Sequence, residues 1–162
     1  QPYYNLMNRQ PEVDVLPAAR AFQMGVVPYS PLARAILTGK NQANQVAAAG
    51  TRAARQDKRM LEAEWRPESL IVAEKLQEYV QAKGVSLAHW AVAWGLNNKA
   101  VTSSIAGPRT FEQWTGYLGA LDYTWTAEDE AIANRLVPPG HPSSPGHTDP
   151  AYPIEGRFPA IG

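Results

Sequence analysis

Arg109 and its neighbours, in the stretch AVTSSIAGPRTFEQ (100–113), have the residue types and spacing of an anion site. Val101 and Ile105 are β-branched and flank the small polar residues Thr102, Ser103 and Ser104, which suits a strand end that leaves room for a ligand. Gly107 and Pro108 break the strand. Thr110 followed three positions later by Gln113 has the form of a capping box, so a helix is predicted to start near Phe111. Free backbone N–H groups gather at such a start, at the positive end of the helix dipole, with Arg109 one residue before the cap. That is the chemistry of a phosphate site. The same residues also fit an exposed arginine beside an ordinary turn, and the stretch alone leaves both open.

Composition narrows the class. Fifteen basic side chains balance fifteen acidic ones, so no net field points to nucleic acid or a membrane surface. No cysteine is present, which removes disulfides, thiolate zinc sites and cysteine nucleophiles. A hydrophobic share of 44% permits one core. No apolar run approaches the ~18 residues that span a bilayer, and no signal peptide opens the chain, so a soluble, cytoplasmic protein is expected. The first residue is Gln1, which is expected to reflect a processed or trimmed chain or a beginning that lies elsewhere.

The elements that must position the turn follow in order. Residues 1–9 (QPYYNLMNR) read as a strand. Val13, Leu16, Ala19, Ala21 and Phe22 recur at helical spacing, with Gly25 expected to stop that helix. Val26, Val27, Pro28 and Tyr29 read as a short buried strand, parallel to the first. Residues 33–66 are polar and alanine-rich. Arg52, Arg55, Lys58 and Arg59 within them fit either a solvated face or a lid over an anion. Pro67 opens a helix closed by Gly84, and Ser86 caps another over 87–96, on which His89 has no partner in sequence and reads as structural. The strand from Ala100 follows, then a helix to about Leu121, then one capped by Thr126 and running to Leu136. The pattern is α/β with a parallel sheet. Three parallel strands leave open edges that folded proteins rarely tolerate, so they are expected to be the last three of a (β/α)8 TIM barrel of roughly 250 residues or more.

Gln1 to Asn5 with Arg9, then GVVPYSPLARAILTGK (25–40), the helix SLAHWAVAWGL (86–96) and IAGPRTFEQ (105–113) resemble the C-terminal part of an aldo-keto reductase. The resemblance covers most of residues 1–137, with 138–162 as an irregular Pro- and Gly-rich tail. It implies that the chain supplies strands six to eight of a barrel binding NADP(H) across its carboxyl end. The implied activity is reduction of an aldehyde or ketone.

Position by position, the resemblance implies that Gln1 hydrogen-bonds the nicotinamide carboxamide and Tyr29 stacks on the ring. It gives Ser30, Pro31, Leu32 and Arg34 the pyrophosphate, with Lys40 near the same phosphates. Ile105, Ala106, Gly107, Arg109 and Gln113 match the adenosine end, with Arg109 on the 2′-phosphate. A stacking aromatic makes physical sense at Tyr29, because a flat face fixes the ring and leaves one side for hydride transfer. Gln113 also fits its capping role.

Two departures matter. Where the family commonly holds the adenine amino group with an acidic residue and an Asn, this chain has Gly116 and Tyr117, so stacking on Tyr117 is a candidate replacement. The family's catalytic Asp, Tyr, Lys and His come from the first half of the barrel, and no residue here stands in for them; the missing barrel half is the expected partner. Two alternatives to a reductase remain: a barrel enzyme gripping a substrate phosphate, which the Tyr29 loop counts against, and a non-catalytic, NADP(H)-sensing regulatory subunit. In the tail, Tyr152 and Phe158 are expected either to fold over the barrel mouth or to lie in a disordered end. Residues 1–162 are not expected to be stable and active alone.

Overall fold

The computed structural model describes residues 1–43, 46–47, 49–147 and 149–151. Six α-helices carry the described chain: α1 (Val15–Ala21), α2 (Lys58–Ala63), α3 (Pro67–Ala82), α4 (Leu87–Leu96), α5 (Phe111–Gly119) and α6 (Ala127–Leu136). Their ends are set by local chemistry. Asp57, Ser86 and Thr126 each accept a hydrogen bond from a backbone N–H in the first turn of the helix they cap, and Thr126 with Asp129 makes a complete capping box. Pro67 stands at the first turn of α3, where its missing N–H costs nothing.

The three expected strands are present only as extended segments joined by single parallel bridges, Tyr3 to Tyr29 and Tyr29 to Ile105. Among the described residues no run builds a regular ladder. Proline is the physical reason. Pro2 and Pro28 offer carbonyls to Tyr29 N (3.1 Å) and Ile105 N (2.9 Å) but have no N–H to return. Val26 O takes both Thr102 N and Ser103 N, at 2.8 and 3.4 Å, so the third segment slips against the second. The order is nonetheless that of three parallel neighbours, with residues 26–29 in the middle.

Other expectations need correction. α1 stops before Gly25: Phe22 follows its last turn and Gln23 takes the left-handed conformation (φ 53°). Gly25 serves instead as a close approach, its Cβ position 3.4 Å from Thr102 Oγ1. The 33–66 stretch is structured, with a tight 3-10 run (Ala33–Thr38) and α2. Of its basic residues, Arg55 and Lys58 are exposed and Arg52 and Arg59 half-buried. Arg52 pairs with Asp57, Lys58 with Glu62, and Arg59 with Glu62 and Asp149. The tail is likewise pinned as far as it is described. Ser143 N donates to Met7 O (2.9 Å), Arg9 N donates to His141 O (3.1 Å), and Arg59 grips Asp149 through two contacts of 3.0 and 2.6 Å. Tyr152 and Phe158 lie outside the described residues.

The core lies between the helices and the extended segments, built on Leu6, Met7, Ile36, Leu37, Met60, Leu76, Val80, Leu87 and Trp90. One buried charge organises the helical side. Asp129, wholly buried, accepts hydrogen bonds from Tyr79 Oη (2.9 Å), Lys83 Nζ (2.9 Å), Trp90 Nε1 (2.9 Å), Tyr123 Oη (3.0 Å) and Thr126 N (2.9 Å). It thereby fastens α3, α4 and α6 together. Burial alone would raise its carboxyl pKa; the donors from Thr126, Trp90 and Lys83 outweigh that and hold it well below the usual carboxylate range. His89 on α4 lies against Gly116 and Gly119 of α5, with Cε1 3.0 Å from where a Cβ on Gly119 would stand, as a structural histidine should.

Candidate functional site

Tyr29 is where the predicted site residues meet. Its backbone bridges Tyr3 on one side and Ile105 on the other, and the Tyr3 and Tyr29 rings lie 5.5 Å apart at 39°. Because the three segments run parallel, the loops leaving Tyr29 and Ile105 start side by side at one end of the sheet.

The first loop is strained. Ser30, Ala33, Arg34 and Ala35 all have positive φ (57°, 45°, 49° and 84°), a region that side chains other than glycine enter at a cost of about 1 kcal/mol or more each. Such strain persists only where the surroundings over-determine it. Here Asn5, buried, donates from Nδ2 to Ser30 O (3.0 Å) and accepts Met7 N at Oδ1 (2.9 Å), tying the loop to the first segment. Ala33 N returns to Ser30 O (3.0 Å), and Ala35 N and Leu37 N reach Leu32 O (2.9 and 3.2 Å). Pro31, Leu32 and Arg34 are half-buried, and the Arg34 Nε is buried without a hydrogen-bond partner among the described residues. Lys40, past the left-handed Gly39, is exposed.

In the second loop Ile105 and Gly107 are exposed and Ala106 is half-buried. Arg109 is exposed beside the start of α5. Thr110 caps that helix by accepting from Gln113 N (3.2 Å), while the Gln113 side chain accepts from Arg109 N (2.7 Å) and not from Thr110 N. The expected capping box is therefore offset by one residue, and it fixes the backbone of Arg109. Gln1 is exposed at the start of the first segment. Tyr117 packs against the Val92, Ala93 and Ala120 cluster, and burial pushes its hydroxyl pKa up against the opposing charge of Arg52. Its ring is thus held against α4, which bears on the expected adenine stacking.

Sequence patterns did not single out Glu64. It follows α2 and is fully buried, and neither carboxylate oxygen has a hydrogen-bond partner among the described residues. The buried hydroxyl of Tyr3 is also unpaired. Burial raises the Tyr3 hydroxyl pKa well above its ordinary value and the Glu64 charge adds to the rise, yet no hydrogen bond of normal geometry joins the two. Burial pushes the Glu64 carboxyl up to about 7, against the opposing pull of Tyr3, Arg66 and Arg34.

A surface groove of about 500 Å³, lined by residues including Leu16, Pro17, Arg20 and Asn98, shares no residue with either loop. No group of three or more His, Asp or Glu among the described residues is placed to hold a metal ion. No helix among them is long and apolar enough to cross a membrane.

The chain belongs to the aldo/keto reductase family, whose model matches residues 1–137. It is 35% identical over 150 residues to the uncharacterized oxidoreductase YrpG of Bacillus subtilis (strain 168), covering 92% of this chain and 42% of that protein. A probable voltage-gated potassium channel subunit beta of Oryza sativa subsp. japonica is 32% identical over 123 residues, 75% of this chain and 38% of that one. The L-glyceraldehyde 3-phosphate reductase of Escherichia coli (strain K12) is 31% identical over 147 residues, 86% of this chain and 41% of that one. The chain thus spans about two fifths of the length of the relatives it matches.

Proposed function

We propose that this chain is the portion of a (β/α)8 barrel that carries most of the NADP(H) cradle of an aldehyde or ketone reductase. The observation that carries the reading is the parallel row Tyr3–Tyr29–Ile105, which sets a strained, tightly tethered loop beside a loop that opens a helix. In this reading Tyr29 seats the nicotinamide and Gln1 its carboxamide. Ser30, Pro31, Leu32 and Arg34 follow the pyrophosphate with Lys40 near it, and Ile105, Ala106, Gly107, Arg109 and Gln113 take the adenosine end. A helix N-terminus with an exposed arginine beside it suits the 2′-phosphate of NADP(H) better than the plain ribose of NAD(H).

The rest of the barrel, with the proton donor, comes from outside this chain in the proposal. The open flank of α5 supports this. Phe111, Trp114, Leu118 and Leu121 recur at helical spacing and are 79%, 42%, 43% and 67% exposed, an apolar stripe for which other barrel elements are the natural cover.

The test is made on the intact protein: NADPH oxidation in the presence of a small aldehyde, with NADH compared under the same conditions. The reading expects turnover with NADPH. A second reading, a barrel that senses NADP(H) and regulates a partner, is favoured by the relatives named as potassium channel subunits. It expects tight NADPH binding without turnover. Absence of any NADPH binding would sink both.

A further inference from the structure

The strained loop is held at both ends by buried amide side chains. At its front, Asn5 is 1% exposed and uses both ends of its amide. Its Oδ1 accepts Met7 N (2.9 Å) and Asn8 N (3.2 Å), and its Nδ2 donates to Ser30 O (3.0 Å). Two backbone N–H groups on one side of the amide fix which end is oxygen, so the NH2 is the end that faces Ser30. At the rear, the Ala35 carbonyl accepts from Thr38 Oγ1 (2.8 Å) and from Nδ2 of Asn41 (3.1 Å), itself 3% exposed. The residues at positive φ, Ser30, Ala33, Arg34 and Ala35, run from one anchor to the other. Left-handed backbone is costly for each of them, and the loop relaxes unless its surroundings oppose that. The front anchor comes from a different extended segment, twenty-five positions away in the chain.

We propose that Asn5 is a positioning residue for the dinucleotide: with Thr38 and Asn41 it keeps residues 30–35 in a preformed left-handed shape, and cofactor affinity depends on that preformation. This rests on the cofactor-cradle reading above. Asn5 and Asn41 are too deeply buried to touch a ligand, so they act through the loop alone. A loop already in shape presents Arg34 and the backbone of residues 30–32 to the pyrophosphate, and binding then bears no cost of ordering them. With the anchor gone, the loop leaves its strained shape, and the observed dissociation constant rises by the inverse of the fraction still preformed. Glycine at a strained position brings that fraction back, because it adopts positive φ without a steric penalty. Ala35 suits this purpose: its φ is 84°, and the cradle reading gives its side chain no contact with the cofactor.

The experiment measures dissociation constants of the intact protein for NADPH and for adenosine 2′-monophosphate, which carries the adenosine end and no pyrophosphate. The proteins are the wild type, N5A, A35G, the N5A/A35G double variant and T38V, each checked for a cooperative thermal transition. N5A is expected to bind NADPH about tenfold more weakly and adenosine 2′-monophosphate within about twofold of the wild type. A35G alone is expected to change NADPH binding little, because the wild-type loop is already in shape. In the N5A background the same substitution is expected to recover about fivefold, a rescue that a merely structural Asn5 would not show. T38V keeps the shape of the side chain, removes one rear donor and is expected to weaken NADPH about threefold, again without moving adenosine 2′-monophosphate. Unchanged NADPH binding in folded N5A overturns the proposal, as does equal weakening of both ligands or an N5A/A35G variant no better than N5A. Where N5A does not fold, T38V decides, and NADPH binding equal to the wild type's overturns the proposal. Failure of the wild type to bind NADPH would instead refute the cradle itself.

Discussion

Two carboxylates in this chain are equally buried and otherwise opposite. Asp129 sits among α3, α4 and α6 and accepts hydrogen bonds from Tyr79, Lys83, Trp90, Tyr123 and Thr126. Glu64, just after α2, has neither carboxylate oxygen paired among the described residues. The helical side is built to be at rest, with its charge paid in full by hydrogen bonds. Among the described residues, the Glu64 carboxylate, the Tyr3 phenol and the Arg34 Nε are buried without a hydrogen-bond partner, and four side-chain-bearing residues of the first loop take positive φ. Satisfied buried charge marks where the fold is fixed, and unsatisfied buried charge marks where a ligand or a proton has work to do.

Removing Asp129 tests that contrast most severely. Asp129→Ala strands Lys83 and the Trp90 and Tyr79 donors, and should cost about 3–5 kcal/mol, read as a lower denaturant midpoint in equilibrium unfolding. A loss under about 1 kcal/mol would mean the network is decorative. The pH dependences should also run oppositely. The folded Asp129 pKa lies below its unfolded value, so its stabilisation is present above about pH 4 and fades as pH falls below that. The folded Glu64 pKa is raised to about 7, so its contribution is intact below about pH 4.5 and is lost as pH rises to 7. Glu64→Gln should therefore stabilise the protein at pH 8, by on the order of 3 kcal/mol, and change little at pH 4. Equal effects at both pH values would erase the distinction between the two sites.

Smaller effects sharpen the loop side. Replacing Arg109 by Ala in the intact protein should weaken NADPH binding by about tenfold and leave NADH nearly unchanged, as measured by fluorescence titration. Tyr29→Ala should weaken both cofactors, whereas Tyr29→Phe should bind like the wild type, because the ring and not the hydroxyl is used. Least of all, Ala35→Gly relieves a φ of 84° and should stabilise by about 1 kcal/mol in the absence of cofactor.

The helical side was legible because its signals are local. Ser86, Thr126, Pro67 and Gly84 set helix ends by contacts within a few residues, and each stands where the sequence placed it. The loop side was legible in its motifs but not in its physics. Ser30, Ala33, Arg34 and Ala35 show no glycine to betray their left-handed backbone, and the loss of regular strands follows from Pro2 and Pro28 only once their partners are known. Glu64 lies in a polar, alanine-rich stretch whose composition gives no sign of a buried carboxylate. Gln113 was half-read: its cap is real but reaches Arg109 instead of Thr110.

The buried Arg9 has a consequence in time. It donates to Asn134 Oδ1 (2.7 Å) and Val137 O (2.8 Å), and its neighbour Met7 receives Ser143 N (2.9 Å). Residues 1–9 are synthesised long before their clasp exists. They wait, through the synthesis of α1 to α6, for the end of α6 and the start of the tail to emerge. Until then Arg9 lacks the acceptors that hold it, a condition in which exposed surface of a nascent chain meets chaperones or other chains. Translation that stalls just short of Val137 would leave residues 1–9 tied to residues 29–30 but without the grip of Val137 and the tail on Arg9 and Met7.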